Sequence, residues 1–523
     1  MRALSFAPLL LLLLSQVAVA ETGRPNVVLI VCDDLNDYVN GFGGHPQTLT
    51  PHVAKLANSG VAFKRAYSNN PVCAPSRSSF LTGIYPHTSG NLFWGKWFEN
   101  PVLKNSKTIM EFFRENGYHV AGSGKLMHHF KADVWSEFAH KADYGPFVYD
   151  GKERIAHPSV PRPYADIGAV DGSYAQLEDV PFAEDGNPES GWIYGEWGKT
   201  VKPFRYSENG IKDPTPDERN AAWAAQRIRD FAGEGNGKPF FLAVGFIRPH
   251  TPLHVSKKYY DMFPREDLIL PVIKKGDSAD THYKDVFDPD QKGLRYFRAL
   301  SESYPTTEDG LRAFTQAYLA SVTAVDDCIG QVVEAVDNSP LKENTIIVLV
   351  SDHGWNMGQK DYLFKNSPWE ESTRIPFIIR APGVSKAGGV AGHPVSLIDL
   401  YPTLLDLCSL EGDTRKNANG APLDGFSVRP FLVDPACGEW GGPDAALSMI
   451  WAEREGDDRW DPDMQHWSLR TERWRYIRYN DGAEELYDHN LDPYEWNNLA
   501  LLPENETIKE SLHQKMLQLR AKK

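Results

Sequence analysis

Four short apolar runs, residues 26–32, 240–247, 345–350 and 376–380, are rich in β-branched and aromatic residues and do not alternate with polar ones. A strand covered on both faces has no reason to alternate, so these runs predict buried strands of a mostly parallel sheet. Helical segments with legible ends lie between them. Thr50 reads as an N-cap with Pro51 in the first helical position and Gly60 as the stop, and residues 108–116 are closed by Gly117. Residues 221–231, 311–336 and 396–407 complete the helical set. Strands alternating with helices imply a doubly wound α/β fold.

Residues 140–215 and 262–310 are rich in Pro, Gly, Asp and aromatic residues without sustained periodicity, and read as long surface excursions of the kind that shape substrate sites. Beyond about residue 435 the pattern changes. Residues 467–479 and 484–487 predict antiparallel strands around Asn480-Asp481-Gly482, followed by a helix from about Asn505, together a smaller α+β C-terminal subdomain. The expected division is therefore residues 1–20, 21–435 and 436–523.

Residues 1–20 read as an export signal: Arg2, the apolar run 9–14, and Ala18-Val19-Ala20 as a cleavage site. That run is too short to span a bilayer and no later stretch is long enough, so a periplasmic or secreted protein without a transmembrane segment is expected. Apart from Cys73, the cysteines are Cys32, Cys328, Cys408 and Cys437, too scattered for a disulfide framework; one bridge is possible and none is required. A formal charge of -15 argues against nucleic acid as a partner.

Two acidic clusters follow predicted strands directly: Asp33-Asp34 and Asp352-His353. Ligands of open α/β sheets bind beyond the carboxyl ends of the strands, so positions far apart in sequence can converge there. Several carboxylates without a thiolate set suit a hard cation, and Ca2+ better than Zn2+. His353 is the awkward member of such a set, since imidazole is a poor partner for calcium.

Cys73-Ala74-Pro75-Ser76-Arg77 is a Cys-x-Pro-x-Arg string, and Gly124-Lys125 with His128, Arg248-Pro249-His250, Ser351-Asp352-His353-Gly354-Trp355, Ser468-Leu469-Arg470-Thr471 and Glu485-Leu486-Tyr487-Asp488 accompany it. On these motifs the chain resembles a type I sulfatase of the alkaline phosphatase superfamily, and within it most resembles the iduronate-2-sulfatases. The resemblance implies that a maturase oxidises Cys73 to formylglycine, and that Asp33, Asp34, Asp352, His353 and residue 73 hold one Ca2+. It further implies that Arg77 stabilises the formylglycine and that Lys125, His128, His250 and Lys365 surround the sulfate. Trp355 and Arg248 are expected to wall the substrate.

The expected activity is removal of sulfate from a sulfated sugar, at O2 of a terminal uronate if the closest resemblance holds. Other readings are a sulfatase of another polysaccharide or small ester, a phosphoester or phosphonate hydrolase, and a sulfated-glycan binder without turnover. The loop after the first acidic pair, residues 35–45, and residues 140–215 differ from the pattern of that branch.

Overall fold

In the computed structural model, which describes residues 23–182, 190–195, 201–207, 210–234, 237–282, 291–453 and 456–521, the four apolar runs are neighbouring strands of one nine-stranded sheet. The expected export segment lies outside the described residues. Across the sheet the order is Gly389–Ala391, Val61–Tyr67, Arg374–Arg380, Thr345–Ser351, Asn26–Asp33, Phe240–Pro249, His119–Gly124 and Glu137–Phe138, with Val395–Ser396 also pairing with Val61–Tyr67. Asn26–Asp33 is paired in parallel with a strand on each side, residue by residue from Val27 to Val31.

The absence of alternation has a direct structural cause. Val28, Ile30, Leu242, Val244, Ile347 and Leu349 belong to one hydrophobic core, under helices Pro216–Glu234 and Thr307–Asp337. Their sequence neighbours Val27, Leu29, Phe241, Ala243, Val348 and Val350 belong to a second core on the other face, with Phe80, Phe113 and Leu404. Both parities are buried because both faces are covered.

Several expectations need correction. The sheet is mostly parallel as expected, but Arg374–Arg380, read as one of its strands, pairs antiparallel with both of its neighbours. The register slips between Ile375 and Phe377, at Pro376, which has no N–H to offer the ladder. Helix Pro216–Glu234 starts five residues before the predicted Ala221, because Thr215 and Glu218 close a reciprocal capping box. Leu400–Leu407 is preceded by a separate turn, Leu397–Asp399. Within residues 262–310 the structure holds helix Lys292–Glu302, and residues 140–215 are not a mere surface excursion: short strands there bury Val148, Leu177, Trp192 and Phe204 in a core of their own.

The C-terminal sheet is antiparallel, in the order Ala445–Ile450, His466–Thr471, Trp474–Arg478, Glu484–Asp488, with helix Glu506–Arg520 beyond it. Its first strand reaches the segment that follows Val61–Tyr67: the N–H of Met449 donates to the carbonyl of Asn69 at 2.9 Å. All five cysteines are free. No helix among the described residues is long and apolar enough to cross a membrane.

Candidate active site

The parallel strands end side by side, and their ends deliver the charged residues. Cys32 lies opposite Ser351, and Asp33 opposite Pro249. Asp33, Asp34, Asp352 and His353 are all fully buried. Asp34 leaves the strand in the left-handed region at φ 60°, a conformation Asp tolerates better than most residues. Two contacts hold it there: its carbonyl accepts from Tyr318 Oη at 2.7 Å, and its N–H donates to Asp352 Oδ1 at 3.3 Å.

Cys73 is the first residue of helix Cys73–Thr82, every residue of which is buried. The motif is therefore a helix start, and Pro75 sits in the first turn, where its missing N–H costs nothing. The Cys73 Sγ lies 3.2 Å from His353 Nε2 and 3.2 Å from Lys365 Nζ. One helical turn on, Arg77 places Nε 2.8 Å from Asp352 Oδ2 and Nη2 3.3 Å from Asp33 Oδ1. Ser68 and Ser76 hydroxyls both donate to the Asp352 carbonyl at 2.6 Å, which pins the acidic strand end to the start of the helix.

Lys125 pairs with Asp33, and Lys365 Nζ sits 2.7 Å from Asp34 Oδ1. The backbone brings Lys125 in closely: a Cβ on Gly245 would stand 2.1 Å from the Lys125 carbonyl, and one on Gly124, at φ 82°, 2.0 Å from the Gly245 carbonyl. Only a glycine pair permits this approach. His250 Nε2 is 3.9 Å from Asp34 Oδ2. His128 borders the cluster, its ring 4.7 Å from that of Trp94.

The electrostatics follow from burial and these neighbours. Burial would raise Asp33, but Lys125, His250, Arg77 and Lys365 hold it well below the usual carboxylate range. Burial pushes Asp34 up to about 8 in spite of Lys365 and His353. Burial and the Asp33 charge push the Cys73 thiol up, against Lys125 and Lys365. Burial opposes the charge on Lys125 and on Lys365, but Asp33 and Asp34 respectively override it and raise both ammoniums. Burial and nearby lysines push His128 down to about 3 and His250 well below its ordinary range.

Asp33, Asp34, Cys73 and His353 offer donor atoms that all lie within 4.8 Å of one another. Among the described residues, Asp34 Oδ2 is a buried carboxylate oxygen with no hydrogen-bond partner. An oxygen-rich buried cluster with an orphaned carboxylate oxygen fits a hard cation. Asp352, expected as a further ligand, has its carboxylate engaged by Arg77 and by the N–H groups of Asp34 and His353.

The two residues expected to wall the substrate are interior. Trp355 is 2% exposed, packed edge-on to Phe364 at 5.1 Å, with Lys365 Nζ 5.7 Å above its ring. It supports the lysine from below. Arg248 is 4% exposed and donates to the Gly145 carbonyl at 2.9 Å, bracing the segment that carries His250. Tyr144, which the sequence did not single out, touches both flanks of the site: Lys125 Nζ is 4.7 Å from its ring centre and the His250 ring 5.0 Å away. Its only sequence signal was an aromatic residue before Gly145-Pro146.

A family model described as Sulfatase matches residues 25–410, and one described as N-sulphoglucosamine sulphohydrolase, C-terminal, matches residues 358–522. A protein named Sulfatase from Formosa agariphila is 31% identical, over 92% of this chain and 84% of that protein. An Ulvan-active sulfatase from the same organism is 30% identical, over 95% and 81%. Mouse Iduronate 2-sulfatase is 28% identical, over 78% of this chain and 72% of that protein, so the expected particular kinship with that branch gives way to a kinship with the wider family. The solved phosphonate monoester hydrolase from Silicibacter pomeroyi shares the fold, with a TM-score of 0.69, 23% identity and 95% of each chain covered.

Proposed function

The chain belongs to the sulfatase family, and from that membership we propose that this hydrolase removes a sulfate ester from a sugar of a sulfated polysaccharide, through a formylglycine made from Cys73. The position of Cys73 carries the reading. It opens a buried helix inside Cys-x-Pro-Ser-Arg, with Lys365 and His353 each 3.2 Å from its sulfur. A thiol pushed upward by burial and Asp33 is a poor nucleophile as it stands, which supports its acting after oxidation.

As a hydrated aldehyde, residue 73 offers one oxygen to attack sulfur while the ester S–O bond breaks and the alcohol leaves with a proton. The second hydroxyl then loses its proton, the carbonyl re-forms, and the bond from carbon to the sulfated oxygen breaks to release sulfate. Water restores the hydrate by adding to carbon. Lys125 and Lys365 neutralise the sulfate oxygens, and His128 and His250 pass the proton between the leaving oxygen and residue 73. Arg77 holds Asp33 and Asp352 in place beside the nucleophile.

Asp33, Asp34, Asp352, His353 and residue 73 would hold one Ca2+, which when bound supplies positive charge to the nucleophile and the sulfate. Removing it with a chelator should lower the melting temperature as well as turnover, and an unchanged melting curve would count against the ion. The proposed leader at residues 1–20 would place the enzyme outside the cytoplasm, where polysaccharide is met.

The test is twofold: mass analysis of the peptide Ala66–Arg77 from the native host, and sulfate release from ulvan, heparin and carrageenan oligosaccharides. Aldehyde at position 73 with sulfate release is expected. Only unmodified cysteine would sink the mechanism. Faster cleavage of phosphonate or phosphate esters by the matured protein would make those the substrates.

A further inference from the structure

Immediately beside Lys365 the surface opens into a cavity of about 580 Å³, bounded by Val72, which precedes the nucleophile, and by Trp94, Trp451, Arg459 and Trp460. That volume is within the roughly 300–1,000 Å³ of small-molecule sites and far exceeds what a sulfate group needs. The lining combines aromatic rings with cations. Trp451 stacks on Phe93 at 4.4 Å with the rings 3° from parallel, forming a rigid floor. Trp94 and Trp460 remain 43% and 39% exposed. Lys292 and Arg459 supply two cations at the rim, Lys292 over the Phe364 ring at 5.2 Å and Arg459 over Trp460 at 5.4 Å.

Aromatic faces bordered by cations suit a ring that is apolar on its C–H face and anionic at its edge, as in a sulfated or carboxylated pyranose. Among the described residues the lining holds one carboxylate, Glu453, whose Oε1 accepts from the amides of Asn366 at 3.2 Å and Gln291 at 3.4 Å. The cleft is continuous with the reaction centre on two sides: Asn366 follows Lys365 in sequence, and Trp94 lies against His128. It is assembled from segments remote in sequence, one after the nucleophile helix and one after the first strand of the C-terminal sheet.

We propose that this cleft binds the sugar unit next to the one that carries the scissile sulfate, with Trp460 and Trp94 as stacking platforms and Arg459 and Lys292 as partners for that unit's own anionic group. The enzyme is then selective for chains over free monosaccharide sulfates. This rests on the sulfatase reading above, and the two can fail separately.

Affinities of size-defined tetrasaccharides from ulvan, heparin and carrageenan, and of the matching sulfated monosaccharides, should be measured by titration calorimetry on the full-length Cys73→Ser protein, in which binding is read without turnover. At least one tetrasaccharide is expected to bind tenfold or more tighter than its monosaccharide, a gap of about 1.4 kcal/mol. Trp460→Ala should close most of that gap, and Arg459→Gln should reduce it together with its salt dependence. The cleft proposal is overturned if no tetrasaccharide exceeds its monosaccharide, or if the gap survives both substitutions. Sulfate release by the matured unsubstituted enzyme reports separately on the chemistry: release without a chain-length gap removes the cleft and keeps the sulfatase, whereas a gap that Trp460→Ala closes, without release, does the reverse.

Discussion

The molecule buries two clusters of charge that are built from similar residues and end up with opposite characters. At the strand ends, Asp33, Asp34, Asp352, Lys125, Lys365 and Arg77 gather around Cys73. Where the C-terminal sheet meets the large one, Glu370 and Glu495 meet Arg470, Arg475 and His489. The second cluster is saturated: Arg475 reaches Glu495, Glu370, the Pro368 carbonyl and Ser468, while the other oxygens of the two glutamates take Tyr67 and the Glu370 N–H. Burial would raise Glu495, but Arg475 and His489 bring it down to about 2. In the first cluster burial leaves Asp34 at about 8 with one oxygen unpartnered. A trio such as Glu370, His489 and Glu495 has the ligand types of a metal site, yet arginines already occupy it. Unspent hydrogen-bonding capacity, rather than residue type, separates a site that does chemistry from a clamp that holds two sheets together.

The widest separation between the clusters should come from Cys73→Ala, which is expected to cut sulfate release by more than about 10⁴-fold. Its melting temperature should stay within a few degrees, since the buried change is confined to the end group of one short side chain; sulfate assays alongside thermal melts check both halves, and residual turnover would break the assignment. Arg475→Met should do the opposite. It strands two buried carboxylates and is expected to cost about 3–5 kcal/mol in denaturant unfolding, while the molecules that remain folded keep their specific activity.

Gly245→Ala sharpens the comparison from the backbone side. The added methyl would stand 2.1 Å from the Lys125 carbonyl, so the lysine must move. A fall in kcat of about a hundredfold is expected, the scale of a displacement near 1 Å in a reacting site. The smallest effect concerns acid. Because Glu495 is lower in the folded state than in the unfolded chain, its contribution to stability is complete above about pH 4.5 and is lost as pH falls toward 2. Unfolding free energies measured across that window should decline, and the slope should shrink in Glu495→Gln.

The strands were legible in the sequence because their cause is local: both faces are covered, so both parities are apolar. The helix starts after Thr108 and Thr50 were legible because such a start is read within four residues, although only Thr108 caps its helix with its side chain. The reactive string at Cys73 and the acid pairs at the strand ends could likewise be named from the chain, and the structure brings Asp33, Asp34, Cys73 and His353 together. The antiparallel course of Arg374–Arg380 could not be read, because a strand's own residues do not state the direction of its neighbour. Trp355 could not be assigned either: the same Gly-Trp step after a strand serves a wall or a floor, and only the packing of Phe314 and Phe364 makes it a floor.

What the sequence determined by itself, then, is the set of buried strands, the Cys73 string proposed to carry the nucleophile, and the acidic residues, each encoded by patterns a few residues long. What only the tertiary structure decided is which charges are paired off and which stay available, and that Trp94, Trp451 and Trp460 share one cleft. Pairing and enclosure depend on contacts between segments hundreds of residues apart, as between Arg77 and Asp352 or Asn366 and Trp451. No local pattern records such contacts, because they are selected by how the two sheets pack.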